Sequence, residues 1–81
     1  MYVLLGIMTT PQNKLVADRI LACCKTWDET AEKAYEYAKT FGTEICMDRD
    51  SNVVWFEAKE INRHIKLEII EAQELDELIG K

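Results

Sequence analysis

The sequence predicts a small α+β domain, in which an antiparallel or mixed sheet of about five strands has one main helix packed on one face. A helix with a signal at each end spans residues 26–42. Apolar runs of strand length lie on both sides of this helix, and residues 65–69 alternate between aliphatic and charged side chains. The predicted order is β-β-α-β-β-β with a short helical turn at residues 74–79, all in one domain over residues 1–81.

The main helix is predicted to begin at Thr26 and to end at Gly42. The Thr26 side chain can accept from the N–H of Glu29 while Glu29 reaches back to the N–H of Thr26, which is a capping box. Gly42 stands where a helix end favours a residue at positive φ. The buried stripe, read at the 3.6-residue period, is predicted to consist of Trp27, Ala31, Ala34, Ala38 and Phe41. The opposite side of the helix is charged, so the helix is expected to be a scaffold.

Two strands are predicted before the helix. Residues 2–8 form an apolar run of strand length, closed by turn-forming residues. Residues 11–24 admit either a helix, because a Thr–Pro pair can start one, or a loop followed by a strand. Their apolar side chains scatter round a helical wheel, so we favour a strand over residues 20–24, in which Cys23 and Cys24 are small buried side chains.

Three strands are predicted after the helix. Residues 44–47 and 53–56 are β-rich runs separated by polar turn formers, which predicts a hairpin. The alternation of residues 65–69 predicts a half-exposed strand. A helix over residues 61–72 is the alternative, because isoleucines recur there at near-helical spacing, but that helix would place Glu68 in its apolar stripe.

Composition restricts the class of protein. A net charge of -5 and a pI near 4.8 disfavour direct binding to nucleic acid, which depends on Lys and Arg contacts with phosphates. Three cysteines leave an odd thiol under any internal pairing, which fits a reducing cytoplasm. No stretch approaches the ~20 apolar residues that span a bilayer. We therefore expect a soluble cytoplasmic protein with no membrane partner and no direct nucleic-acid partner.

No motif in the sequence predicts catalysis, a metal or a cofactor. Residues 48–52 match the first half of a calcium loop, but Val53 and Lys59 stand where the turn glycine and the bidentate Glu belong. His64 is the single histidine, and no nucleophile lies near it in sequence. The adjacent pair Cys23 and Cys24 lacks the spacing of a zinc or thiol-exchange site. We expect that the protein is not an enzyme and holds no cofactor.

The element pattern resembles that of small domains common in phage and bacterial genomes. The matching pieces are an opening Y-x-L-L strand at residues 2–5, a capped helix start at 26–31, an Ala-spaced helix at 31–38 and an E-L-D-E ending at 74–77. The resemblance implies a fold of this kind and carries over no activity and no catalytic residue.

Two features predict a protein-binding surface. Trp55 and Phe56 are adjacent on a strand and point to opposite faces, so one of them faces away from the helix. The C-terminal stretch is acidic and can occupy a basic groove on a partner. The candidate partner-binding residues are Trp55, Phe56, Glu68, Glu71, Glu74, Asp76, Glu77 and Tyr37.

The leading hypothesis is a non-enzymatic accessory domain that binds a host protein, such as a phage or mobile-element inhibitor or modulator of a defence protein. Its acidic and aromatic surfaces would make the contact, and a homodimer is also considered. The alternative is a small-ligand or nucleotide-sensing module, also considered as a dimer, with a pocket on the side of the sheet that the helix leaves uncovered.

Overall fold

Residues 1–72 are described by a computed structural model, and in this part of the chain four antiparallel strands form one sheet with one α-helix on one face. The elements are β1 (Tyr2–Thr9), β2 (Leu15–Cys24), α1 (Trp27–Lys39), β3 (Val53–Ala58), a 3-10 turn (Lys59–Ile61) and β4 (Arg63–Glu71). The strand order β2-β1-β4-β3 places the first and last strands in the middle. The predicted α+β class is confirmed, and the predicted turn at residues 74–79 lies outside the described residues.

The core lies between α1 and the helix-facing side of the sheet. Ile65, Leu67 and Ile69 point toward the helix and are buried, as the alternation of the sequence predicted. Leu4 is paired with Ile69 on the neighbouring strand and is also buried. Because β4 is hydrogen-bonded to β1 on one side and to β3 on the other, the helical alternative for residues 61–72 is wrong.

The ends of α1 follow the predicted signals with one difference. Thr26 is the N-cap, and its Oγ1 accepts from the N–H of Glu29 at 3.1 Å. The Thr26 hydroxyl donates to Glu29 Oε1 at 3.1 Å, so the carboxylate binds the hydroxyl, where a capping box would bind the N–H of Thr26. The helix ends at Lys39 with Thr40 as C-cap, and Gly42 adopts the expected positive φ of 71°.

The predicted helix stripe is confirmed. Ala31, Ala34 and Ala38 are buried, and their small side chains let the helix backbone approach the sheet. The aromatic residues at the two ends, Trp27 and Phe41, are partly buried against the same core. Sequence reading missed Thr30, which is also buried: its hydroxyl is satisfied inside the helix by donating to the Thr26 carbonyl at 2.8 Å.

Strand β2 is twice as long as predicted, since it begins at Leu15 and not at residue 20. Val16 and Leu21 have no Cα partner on β1, so each forms a β-bulge in the ladder. As an edge strand with two bulges, β2 lacks the alternation that marks a half-buried strand, so its first half resembled a loop. The predicted burial of Cys23 is wrong, because that side chain is exposed at the sheet edge, and Cys24 is only half-buried.

The predicted hairpin between residues 44–47 and 53–56 does not form, and β3 pairs with β4. Residues 44–47 pack against the helix: Met47 is buried in the core and its N–H donates to Tyr35 Oη at 3.2 Å. A turn follows, closed by the N–H of Asn52 donating to the Asp48 carbonyl at 2.6 Å. The predicted fifth strand is thus absent from residues 1–72.

Candidate protein-binding face

Alternate residues of the four strands point away from α1 and form what we call the outer face of the sheet. By strand register it comprises Val3, Leu5, Ile7 and Thr9 of β1; Leu15, Asp18, Ile20 and Cys23 of β2; Val53, Trp55 and Glu57 of β3; and His64, Lys66, Glu68 and Ile70 of β4. No helix or strand of residues 1–72 lies over this face, because α1 packs on the opposite side.

The apolar part of the outer face is partly exposed to solvent. Trp55 on β3 is 60% exposed, and Ile20 on β2 is 54% exposed. Leu5 and Ile7 lie on β1 between them and are half-buried, whereas Val3, at the end of β1 near Ala72, is buried. A large exposed aromatic side chain on an uncovered sheet face is typical of a binding surface. Trp55 and Ile20 lie on opposite edge strands of the outer face, and Lys66 and Glu68 of β4 separate Trp55 from the aliphatic residues of β1.

The ammonium group of Lys66 lies close to the ring of Trp55. Lys66, directly opposite Trp55 on β4, places its Nζ 5.8 Å from the ring centroid. The same Nζ lies 3.5 Å from Glu68 Oε1. Lys66 and Glu68 are partly buried, and contacts of this kind contribute about 1 kcal/mol each and restrict the orientation of the indole.

The outer face carries more negative than positive charge. Three carboxylates, those of Asp18, Glu57 and Glu68, stand against the ammonium of Lys66. At one end His64 Nε2 lies 4.0 Å from Glu57 Oε2, and both side chains are accessible to solvent. A surface of this kind favours a partner that presents basic groups around an apolar patch.

Two of the candidate residues predicted from sequence are on this face. Trp55 is exposed there. Glu68 lies on β4, with its carboxylate close to the Lys66 ammonium. Phe56, the neighbour of Trp55, points to the other side, where its ring lies 6.0 Å from that of Phe41. The sequence argument that only one of the two aromatic residues faces away from the helix is thus correct.

The remaining candidates do not join the outer face. Tyr37 packs edge-on against Phe41, with ring centroids 5.3 Å apart, on the helix side. Glu71 pairs with Tyr2 on the helix side as well, and accepts from its hydroxyl at 3.3 Å. Glu74, Asp76 and Glu77 lie outside the described residues. The acidic and aromatic surface predicted as one unit is therefore divided between two sides of the sheet.

Sequence reading also missed members of the outer face. Lys66 could have been assigned to it, since the alternation of residues 65–69 already placed this side chain opposite the helix. Ile20 could not, because the bulge at Leu21 changes the side to which the preceding residues of β2 point.

A second feature is a cleft of about 260 Å³ at the N-terminal end of α1. Its lining residues are Tyr2, Trp27, Arg49, Asn52, Ile69 and Glu71. The Arg49 guanidinium lies 4.5 Å from the centroid of the Trp27 ring and 2.9 Å from Asp28 Oδ1. These contacts connect the turn before β3 to the first turn of the helix. They therefore stabilise the fold whether or not the cleft holds a ligand.

The described residues also bear on metal binding, membrane crossing and disulfide bonding. Within residues 1–72, no three His, Cys, Asp or Glu side chains lie close enough to hold a metal ion. In that range, too, no helix is long and apolar enough to cross a membrane. Cys23, Cys24 and Cys46, which are all the cysteines of the sequence, are unbridged.

Comparison with protein-family models, with curated proteins and with solved structures found no match. The likeness of the element pattern to phage and bacterial domains therefore stays a prediction. Any functional assignment has to rest on the outer face itself.

Proposed function

We propose that this protein is a non-catalytic protein-binding domain that docks its partner on the outer face, around Trp55. The observation that supports this most directly is the 60% exposure of Trp55 on the side of the sheet that α1 leaves uncovered. Tryptophan is among the residues most enriched at interface hot spots. Leu5, Ile7 and Ile20 form a second apolar area on β1 and β2, on the other side of Lys66 and Glu68.

The partner in this proposal presents an apolar patch flanked by Lys or Arg side chains. Asp18, Glu57 and Glu68 supply the complementary carboxylates on the outer face. The net charge of -5 adds a long-range attraction that raises the association rate with a basic partner. Because Lys66 already restricts the Trp55 ring, little side-chain freedom is lost there on binding.

The proposal extends to an accessory factor of a phage or mobile element that inhibits or modulates a host defence protein in the cytoplasm. Small size, acidic charge and three unbridged thiols support this setting. A defence protein that binds nucleic acid would offer the basic surface that the carboxylates of the outer face require.

The test compares Trp55→Ala with Ile61→Ala, a control that removes a similarly exposed apolar side chain away from the outer face. A partner captured from bacterial lysate is identified, purified and titrated by calorimetry against the wild type and both variants. We expect Trp55→Ala to weaken binding by about 30-fold or more, which corresponds to a hot spot of about 2 kcal/mol, and Ile61→Ala to leave it nearly unchanged. Equal affinity of wild type and Trp55→Ala for every captured partner contradicts the proposal.

The second candidate function is a small-ligand module, which the cleft between Trp27 and Glu71 favours. Arg49 and Glu71 line it from two sides with opposite charge, which suits a small zwitterion such as an amino acid, and the aromatic rings of Tyr2 and Trp27 provide apolar contact. Thermal shift with amino acids and nucleotides tests it, because a ligand at 100 times its Kd adds about 2.7 kcal/mol. No shift with any of them, or an equal shift in Arg49→Gln, argues against the cleft.

A further inference from the structure

The two edges of the sheet differ in their protection against pairing with another strand. Edge strand β2 carries two bulges and has Asp18 and Arg19 in its middle, and both devices discourage edge-to-edge association. Edge strand β3 has no bulge, because its register with β4 runs without interruption from Val53 to Ala58, and its one charged residue, Glu57, follows four apolar residues. Of the two edges, β3 is the one suited to receive another strand.

The backbone groups of β3 that point outward can be identified. The N–H of Ile69 donates to the carbonyl of Asn52 at 2.9 Å, and these two residues lie opposite each other in the antiparallel ladder. Because hydrogen-bonded pairs alternate with non-bonded pairs, the N–H and C=O groups of Val53, Trp55 and Glu57 are directed away from β4. No group of residues 1–72 is hydrogen-bonded to them. Within the part of the chain that the structure describes, these outward groups therefore form an unpaired ladder edge.

The segment that the sequence predicted to pair at this position does not do so. Residues 44–47 run on the helix side, where Met47 is buried and held by Tyr35. Within residues 1–72, no strand therefore pairs with the outward edge of β3, where the sequence predicted a fifth strand.

We propose that β3 is a homodimer interface, at which two copies of this chain pair their β3 strands antiparallel about a two-fold axis beside Trp55. Trp55 then faces Trp55 of the second copy, and Val53 faces Glu57. Each such pair exchanges two N–H···O=C bonds through the groups that are unpaired in one copy. The product is a continuous sheet of the two chains, closed at both outer ends by the bulged β2 edges.

Among the registers centred on one of the three outward residues, the composition of β3 favours this one. Pairing centred on Trp55 uses all three outward residues and sets the Glu57 carboxylate opposite an apolar side chain. Pairing centred on Glu57 would set two carboxylates directly opposite each other, which is destabilising. Pairing centred on Val53 would set Trp55 opposite Ser51 and leave Glu57 beyond the partner strand. The Trp55 register also forms an aromatic cross-strand pair.

This dimer goes beyond the proposed docking function, because it depends on the backbone edge of β3 and not on the outer face. Both Trp55 side chains stay on the outer face, so dimerisation would join two outer faces into one surface with the two indoles at its centre. An 81-residue chain buries a limited core, and a second copy is a common supplement for domains of this size.

The experiment measures the mass in solution by light scattering across a concentration series, for the wild-type chain and for Glu57→Pro and Glu57→Gln. Proline removes the outward N–H of residue 57, which β3 does not use in its ladder with β4. We therefore expect this variant to keep its fold, and circular dichroism checks this. The matched Glu57→Gln variant removes the same charge and keeps the N–H. We expect twice the 9.4 kDa mass of one chain for the wild type and for Glu57→Gln, and the single mass for Glu57→Pro.

Amide hydrogen exchange of the wild-type protein provides a second readout that needs no variant. We expect exchange at Val53, Trp55 and Glu57 to slow by about tenfold or more between dilute and concentrated samples, while exposed amides of β2 stay unchanged. A single-chain mass at all concentrations overturns the proposal. A dimer whose three amides remain unprotected, or one that Glu57→Pro leaves intact, also overturns it and leaves the docking proposal untouched.

Discussion

The indole N–H of Trp27 donates to Asn52 Oδ1 at 2.7 Å, and this bond joins the first residue of α1 to the residue that precedes β3. Asn52 has a positive φ of 58° and also accepts from the N–H of Ile69 on β4. One asparagine therefore connects the start of the helix, the turn before β3 and a middle strand of the sheet.

Replacing Trp27 with Phe keeps most of the apolar contact and removes the donor. We expect the free energy of unfolding to fall by about 1–2 kcal/mol, because the partly buried Asn52 oxygen loses its partner. Urea denaturation measures this, with Trp55→Phe as the matched control, for which a change within about 0.5 kcal/mol is expected at an exposed site. A loss at position 55 as large as that at position 27 would contradict the structural role of this bond.

The N-cap of α1 can be tested with two substitutions. Thr26→Ala removes the oxygen that accepts from Glu29 N–H, and we expect a loss of about 1 kcal/mol of stability. Thr26→Ser retains a hydroxyl in the same place and should cost little. Equal stability of the Ala and Ser variants in denaturant titrations would mean that the cap contributes nothing measurable.

Gly6 leaves room for the side chain of Leu21, which is bulged on the neighbouring strand. A Cβ at this position would stand 2.7 Å from Leu21 Cδ1, so Gly6→Ala forces a side chain to move, and we expect a cost of about 1–3 kcal/mol. In a Leu21→Ala background the same substitution should cost less. A double-mutant cycle by thermal unfolding measures the coupling, and additive costs would exclude steric contact as the cause.

Gly42 provides a contrasting case, because nothing lies within 4 Å of a Cβ built there. Its positive φ of 71° is the constraint, and Gly42→Ala is expected to cost about 1 kcal/mol through backbone strain alone. No substitution of a neighbouring side chain should relieve this cost. If Gly42→Ala is neutral in chemical denaturation, the helix end does not need the left-handed conformation.

Leu67 lies at the centre of the core and is completely buried on a middle strand. Leu67→Ala should reduce the free energy of unfolding by about 2–5 kcal/mol, since it removes apolar contacts and leaves a cavity. Ile61→Ala, at an exposed site on the turn between β3 and β4, is the control and should stay within about 0.5 kcal/mol. Similar losses at the two positions would show that the core is not centred where the structure places it.

The elements with local signals were predictable from the sequence. The helix has a cap at Thr26 and a positive-φ glycine at residue 42, and β4 has strict alternation, so both were assigned correctly. The first half of β2 and the path of residues 44–47 were not, because their conformation is set by distant parts of the chain. Bulges hide the period of β2, and Met47 leaves the sheet to fill the core beside Tyr35.

The candidate site was predictable to the same extent. The parity of adjacent strand residues indicated that either Trp55 or Phe56 faces away from the helix, but only the structure shows that it is Trp55. The placement of Trp55 and Ile20 on opposite edge strands of one face depends on strand order, which no local pattern encodes. Glu68 and Glu71 are three residues apart on one strand and therefore point to opposite sides of the sheet, so a shared acidic surface cannot include both.

The position of β1 and β4 at the centre of the sheet has a consequence for how the protein folds during synthesis. The β1 strand is translated first, yet one of its two pairing partners is β4, and the Tyr2–Glu71 contact spans 69 residues. A nascent chain that ends before β4 holds the β1–β2 hairpin, the helix and β3, but one edge of β1 is unpaired and β3 lacks its partner strand. Ordering the sheet therefore waits for the arrival of β4, which predicts late, cooperative folding governed by closure of a long loop.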